Sequence, residues 1–144
     1  MQASNAAASP LAVVERLRDA INSHDLDALV ECFAPDFQGE TPTTPDHSFV
    51  GNVSVRRNWS SIFASVPDIT FEIVRSTTEG NTVWAEVEQR GTASDGTPHL
   101  ARGVIVFEIA GDQMQHNRLY VNPVRSGGAE VMIQVGAGLR GRAS

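Results

Sequence analysis

The chain has 144 residues, of which 41% are hydrophobic and 19% charged, and its formal net charge is -6. A chain of this length forms one domain with a substantial core. The acidic balance argues against nucleic acid or an anionic membrane surface as the main partner, because both favour a basic surface. All eleven basic residues are arginines, which excludes Schiff-base and other lysine chemistry.

The cysteine count, the histidine spacing and the N-terminal residues exclude several further features. Cys32 is the single cysteine, so no intrachain disulfide can form. The four histidines, at positions 24, 47, 99 and 116, lack the spacing of metal ligands. No apolar run is long enough to span a membrane, and residues 1–9 lack the basic start and apolar core of a signal peptide. We therefore expect a cytoplasmic protein that uses neither a metal nor a cofactor.

Apolar spacing predicts a helical hairpin after a flexible leader at residues 1–9. Pro10 suits the first turn of a helix whose apolar residues recur at helical spacing. Asp25 is a good N-cap for a second helix. The buried stripe of this second helix is expected to reach Phe33, and Pro35 is expected to end the helix.

A third helix is predicted between Gly51 and Pro67, and from there the apolar period changes to two. The predicted strands are Phe37–Glu40, Ile69–Ser76, Thr82–Thr92, Leu100–Ala110 and Met114–Val121. Three helices followed by a meander of strands indicate an α+β domain over residues 10–124. Residues 125–144 are predicted to be a glycine-rich tail, in which Glu130–Val135 is a candidate further strand.

The last predicted strand carries an unusual row of polar side chains. Side chains two positions apart share one face of a strand. The first face collects Met114, His116, Arg118, Tyr120 and Asn122. The second face collects Gln115, Asn117, Leu119 and Val121. The polar row is typical either of a pocket wall or of a solvent-facing strand, and spacing alone leaves both alternatives open.

Several local motifs occur in an order that resembles a known superfamily. They are Ala34-Pro35-Asp36, Gly51 before the third helix, Pro67-Asp68 after it, Arg90-Gly91-Thr92, and Arg118-Leu119-Tyr120-Val121-Asn122. Over residues 10–124 the chain resembles a SnoaL-like member of the nuclear transport factor two-like superfamily. The resemblance implies a cone-shaped, curved antiparallel sheet packed against three N-terminal helices, in a cystatin-like roll. It also implies a homodimer formed through the convex face of the sheet.

The resemblance further implies acid–base chemistry in an apolar pocket, yet three positions where relatives carry an acid are neutral in this chain. Thr41 stands where ketosteroid isomerase-like members have their catalytic Asp. The segment Gly103–Phe107 has no ionisable group where the polyketide cyclases of the SnoaL group use an Asp. Asn122 stands where many relatives carry an Asp at the end of the last strand.

Two classes of function remain open. The first is a cofactor-independent enzyme that cyclises, isomerises or dehydrates a hydrophobic, oxygenated molecule, or opens its epoxide. In this hypothesis His116 or Glu86 moves a proton, and Tyr120 or Arg118 polarises a carbonyl or epoxide oxygen. The residues expected to contact the substrate are Trp59, Phe63, Trp84 and Asn122. The second class is a non-catalytic ligand-binding or dimerisation module that binds a small hydrophobic molecule.

These hypotheses differ in what the cavity contains. The enzymatic hypothesis requires a cavity of about 300 Å³ or more that reaches both His116 and a carboxylate. His116 and Tyr120 pointing to solvent, together with a cavity that holds no titratable group, would contradict it.

Overall fold

The computed structural model describes residues 9–125. Three α-helices span Pro10–Asn22 (α1), Leu26–Glu31 (α2) and Asn52–Ser65 (α3). Ser9 and Asp25 cap α1 and α2, and each accepts a hydrogen bond of 3.1 Å from a backbone N–H of the first turn. The predicted cap at Asp25 is therefore confirmed.

Six strands form a single sheet within the described residues. They are Phe33–Glu40 (β1), Phe49–Val50 (β2), Thr70–Glu79 (β3), Thr82–Thr92 (β4), Pro98–Ala110 (β5) and Gln113–Pro123 (β6). Their order across the sheet is β2-β1-β6-β5-β4-β3. Neighbours are antiparallel except β1 and β6, which run parallel. The α+β fold with a curved sheet is confirmed, and the parallel pair makes that sheet mixed.

The segment after α2 differs from its prediction. The sequence assigns Phe33 to the stripe of α2 and Pro35 to its end, whereas α2 ends at Glu31 and β1 begins at Phe33. Phe33 pairs with Met114 of β6, and the register then shifts before Gln38. Pro35 lies in this shifted stretch, where its missing N–H does not interrupt a regular ladder. Pairing with β6 thus overrides the local helical pattern.

The core lies between the helices and the concave face of the sheet. Along β4, Val83, Ala85 and Val87 point inward and are fully buried. The alternate residues of β4 point to the convex face, and they are Trp84, Glu86, Glu88 and Arg90. Because α1 and α3 cover only the concave face, a ligand cavity in this core must be lined by inward-pointing residues.

Two of the sequence motifs meet where the chain leaves α3 and where β4 ends. The Asp68 carboxylate accepts a hydrogen bond of 2.6 Å from the Thr92 backbone N–H, and this bond holds the pKa of Asp68 below its ordinary value. A Cβ atom on Gly91 would lie 2.9 Å from Asp68 Oδ1 and 3.2 Å from the Cα of Ile69. Glycine at position 91 therefore permits this close approach, and both motifs have a structural explanation.

The predictions for the two ends of the chain fall mostly outside the described residues. Of the leader only Ser9 is described, and of the tail only Arg125. The candidate strand Glu130–Val135 also lies outside the described residues. Within residues 9–125, no helix is long and apolar enough to cross a membrane.

Candidate functional site

The side chains of β6 that point to the core are not those of the polar row described above. Asn117 pairs with the fully buried Phe107 of β5, so its side chain faces the concave side of the sheet. The polar row faces the convex side, and its members are His116, Arg118, Tyr120 and Asn122. Of the two alternatives left open for this row, the wall of the inner pocket is therefore excluded, because the curved sheet separates the row from the core.

A cavity of about 110 Å³, which we call the inner pocket, lies between α3 and the concave face of the sheet. Most of its wall is apolar: Leu17, Phe33, Phe37, Phe49, Val55, Trp59, Ile62, Phe71, Ile105, Phe107 and Leu119. Its polar groups are the amides of Asn58, Gln89 and Asn117. None of these lining side chains titrates. The volume is below the ~300–1,000 Å³ of sites for drug-sized ligands, and is closer to that of a cavity for one ring.

Asn117 is the most unusual group of the inner pocket. The residue is 5% exposed, and its Nδ2 donates to the Met114 sulfur at 3.7 Å. Its Oδ1 has no hydrogen-bond partner among the described residues. A side-chain amide has two donors and an acceptor, and a thioether is a weak hydrogen-bond partner. If Oδ1 and Nδ2 exchanged places, the amide would therefore still have an unpaired polar atom. An unpaired polar atom at such a site costs about 1–3 kcal/mol, which a ligand can relieve.

Two aromatic residues of α3 were predicted to contact a substrate, and they lie at different depths. Trp59 lines the inner pocket. Phe63 packs behind it, with ring centroids 5.7 Å apart, and also contacts the His24 ring at 5.0 Å. The structure thus brings Trp59 to the pocket and leaves Phe63 in the supporting layer.

His116 is half-buried on the convex face between two carboxylates. Its Nε2 lies 3.5 Å from Glu40 Oε2, and its Nδ1 lies 3.7 Å from Glu108 Oε2. Both distances exceed those of ordinary hydrogen bonds. Arg118 Nε donates to the other oxygen of Glu40 at 3.1 Å. These groups join β1, β6 and β5 on the outside of the sheet, where His116 and Arg118 do not reach a molecule in the inner pocket.

The other predicted site residues also lie on the convex face. Glu86 pairs with Arg75 through a contact of 2.9 Å, and both border a shallow groove beside Trp84. Trp84 is 48% exposed and Tyr120 38%, and Asn122 is exposed near the end of β6. None of these residues lines the inner pocket. A catalytic role for Glu86 or Tyr120 stays a prediction, and it would have to operate on the convex surface.

Glu88 forms ion pairs with two arginines on the convex face. Its carboxylate accepts hydrogen bonds from Arg102 and, at 2.7 Å, from Arg90. The Arg102 guanidinium, followed by that of Arg90, holds the pKa of Glu88 below its ordinary value. A carboxylate held in its ionised form by two guanidinium groups is a strand-to-strand link rather than a proton acceptor.

Sequence reasoning missed the two buried-side amides, Gln89 and Asn117. Gln89 ends the inward row that begins with Val83, and Asn117 precedes Leu119 on the same face of β6. Strict alternation places Asn117 beside another amide, Gln115, so the sequence does not single it out. Gln89, by contrast, interrupts an otherwise apolar alternating row. That interruption is a signal for a pocket group, because a buried amide needs a partner.

Comparison with known families agrees with this geometry. Residues 14–117 match the SnoaL-like domain. The chain belongs to the SnoaL-like family. No curated protein matches the sequence.

Solved structures share the fold of this SnoaL-like domain at low sequence identity. The loop-truncation variant of IdmH is 23% identical, covers 79% of this chain and 93% of its own, and superposes with a TM-score of 0.69. AclR of Streptomyces galilaeus, a proposed hydroxylase, is 14% identical over 93% of this chain and 96% of its own, with a TM-score of 0.70. A proposed polyketide cyclase from Sinorhizobium meliloti is 22% identical over 76% and 93%, with a TM-score of 0.59. At these identities the likeness establishes the fold alone.

Proposed function

We propose that this SnoaL-like domain binds a small, largely apolar group that carries an oxygen atom, without acid–base catalysis in the inner pocket. The observation that carries the proposal is the unpaired amide oxygen of Asn117 amid apolar lining residues. Small-molecule sites typically combine an apolar wall with a few placed polar groups. A ligand hydroxyl would donate a hydrogen bond to this oxygen and remove its desolvation cost.

The hypothesis of a cyclase, isomerase, dehydratase or epoxide-opening enzyme has less support at this site. A general acid or base must lie within hydrogen-bond reach of the proton that it moves. His116 and Glu86 lie across the sheet from the inner pocket, and its lining side chains do not titrate. Ligand binding is therefore the function that the geometry favours.

A matched pair of probes tests the proposed binding. Benzyl alcohol and ethylbenzene have nearly the same shape, but only the alcohol can hydrogen-bond to Asn117. We expect both to bind, and the alcohol to bind roughly threefold to tenfold more tightly, since one net hydrogen bond contributes about 0.5–1.5 kcal/mol. Titration followed by NMR chemical shifts of the pocket residues measures both affinities. Shifts confined to residues outside the inner pocket, or no binding of either probe, would contradict the proposal.

We also propose that the domain forms a homodimer through the convex face of its sheet. Trp84 and Tyr120 are large and exposed, and they share the convex face with Val104, which pairs with Tyr120 on one side and with Glu86 on the other. Charges of both signs surround this patch, including the ion pair of Arg75 and Glu86. An exposed apolar patch with a charged rim is typical of an interaction surface, and mixed charges suit a two-fold interface in which the same surface meets itself.

Replacing Trp84 with glutamate tests the dimer. Placing a charge at the centre of an apolar interface should raise the dimer dissociation constant by roughly thirtyfold or more, as measured by sedimentation velocity. Val53→Glu is the control, because Val53 is 68% exposed on α3, away from the convex face, and it should leave the constant unchanged. A wild-type protein that sediments as a monomer at every concentration, or equal effects of the two variants, would disprove this arrangement.

A further inference from the structure

A second cavity opens on the surface next to the inner pocket. This outer groove has a volume of about 370 Å³ and is lined by His47, Phe49, Ser54, Arg57, Asn58 and Ser61. Phe49 and Asn58 line both cavities. The two spaces therefore share a wall formed by these two side chains.

The chemistry of the outer groove is opposite to that of the inner pocket. Ser54, Arg57 and Ser61 project from one face of α3, since they are spaced about one helical turn apart. His47 faces them from the short 3-10 turn Pro45–His47. The lining includes a guanidinium, an imidazole and two hydroxyl groups, and no carboxylate. Such a set of donors is suited to an anion.

Arg57 is available for this role. Its neighbour Arg56 forms an ion pair with Asp27, with a 2.9 Å contact. For Arg57, by contrast, no carboxylate lies within ion-pair distance among residues 9–125. Asp46 is the nearest acid in sequence to His47 and does not line the groove. A free guanidinium beside an apolar cavity favours a carboxylate, which it binds through two parallel hydrogen bonds.

We propose that the ligand is an amphiphilic carboxylic acid, whose largely apolar, hydroxyl-bearing end occupies the inner pocket beside Asn117 and whose carboxylate binds Arg57 in the outer groove. The inference rests on the proposed binding function and adds the chemical class of the ligand. Phe49 and Asn58 form the passage between the two ends of such a molecule. His47, Ser54 and Ser61 supply further hydrogen bonds to the acid group. No covalent step is involved.

The test compares ω-phenylalkanoic acids of increasing chain length with the primary alcohols of the same length. Binding is measured by calorimetry for the wild type, Arg57→Gln and the control Arg56→Gln. At the length that spans the two cavities, the acid should bind the wild type roughly tenfold more tightly than the alcohol, because a charge-assisted hydrogen bond is stronger than a neutral one. Arg57→Gln should abolish this preference, so that acid and alcohol bind this variant with similar affinity. Arg56→Gln should retain it, and added salt should weaken acid binding to the wild type.

The outcomes separate this inference from the proposed function. If acids and alcohols bind equally well to all three proteins, the pocket binds ligands but the assignment of an acid is overturned. If the acid preference survives in Arg57→Gln, the anion site lies elsewhere and the assignment is overturned as well. If neither series binds at any length, the proposed function itself fails. Circular dichroism melting of each variant checks that exposed Arg57 and Arg56 are dispensable for folding.

Discussion

Replacing Gly103 with alanine is expected to destabilise the domain by about 2–3 kcal/mol. A Cβ atom on Gly103 would lie 2.7 Å from the Cα of Val121 and would also meet the carbonyl oxygen of Tyr120. Both atoms belong to the backbone of β6, so they cannot rotate away, and one of the two strands has to move. Overpacking of this kind costs about 1–3 kcal/mol, and in a sheet it disturbs the ladder hydrogen bonds as well.

Gly39→Ala is the matched control for this effect. It makes the same substitution in the same sheet, but the nearest atom to the new methyl group is Cζ of the Phe49 ring, at 2.8 Å. Phe49 is only half-buried, so its side chain can shift. The buried Phe37 ring lies 3.1 Å away and has to move by only a few tenths of an ångström, so we expect less than half of the cost at Gly103. Urea unfolding of the wild type and both variants measures the difference. Equal free energies of unfolding for the two variants would show that β5 and β6 do not need this close approach.

The sequence predicts the positions of most helices and strands well. The four long strands and all three helices follow from apolar periods of two and 3.6, because burial on one face enforces those periods. The exception, at Phe33 and Pro35, arises because a parallel partner from the far end of the chain captures the segment. Non-local pairing of this kind leaves no local pattern in the sequence.

The face of β6 that lines the pocket could not be predicted, for a specific physical reason. Met114 and Asn117 are both buried on the inner side, although an odd number of positions separates them. The register of β5 and β6 shifts between Glu108 and Ile109, where Gln115 is the extra residue. A β-bulge inverts the alternation beyond it, so the row that starts inward at Met114 continues outward at His116. Strict alternation groups Met114 with His116 on one face, whereas the bulge places them on opposite sides of the sheet.

Replacing Asn117 with leucine should stabilise the protein by about 1–3 kcal/mol. The substitution removes a buried amide whose Oδ1 has no partner among the described residues, and such a group carries a penalty of that size. The adjoining cavity of about 110 Å³ has room for the added methyl groups. Most substitutions in a protein core destabilise the protein. A higher free energy of unfolding in Asn117→Leu would therefore show that the amide at position 117 is retained for ligand binding at a cost in stability.

The gain should coincide with a loss of discrimination between ligands. In Asn117→Leu the preference for benzyl alcohol over ethylbenzene should vanish, because the amide that distinguishes the two probes is absent. Asn58→Leu is the control for stability: Asn58 is exposed on α3, and its replacement should change the free energy of unfolding by no more than about 0.5 kcal/mol. Urea unfolding and NMR titration of the same samples measure both quantities. A destabilised Asn117→Leu variant would mean that the amide supports the fold, and the unpaired oxygen would then no longer argue for a ligand.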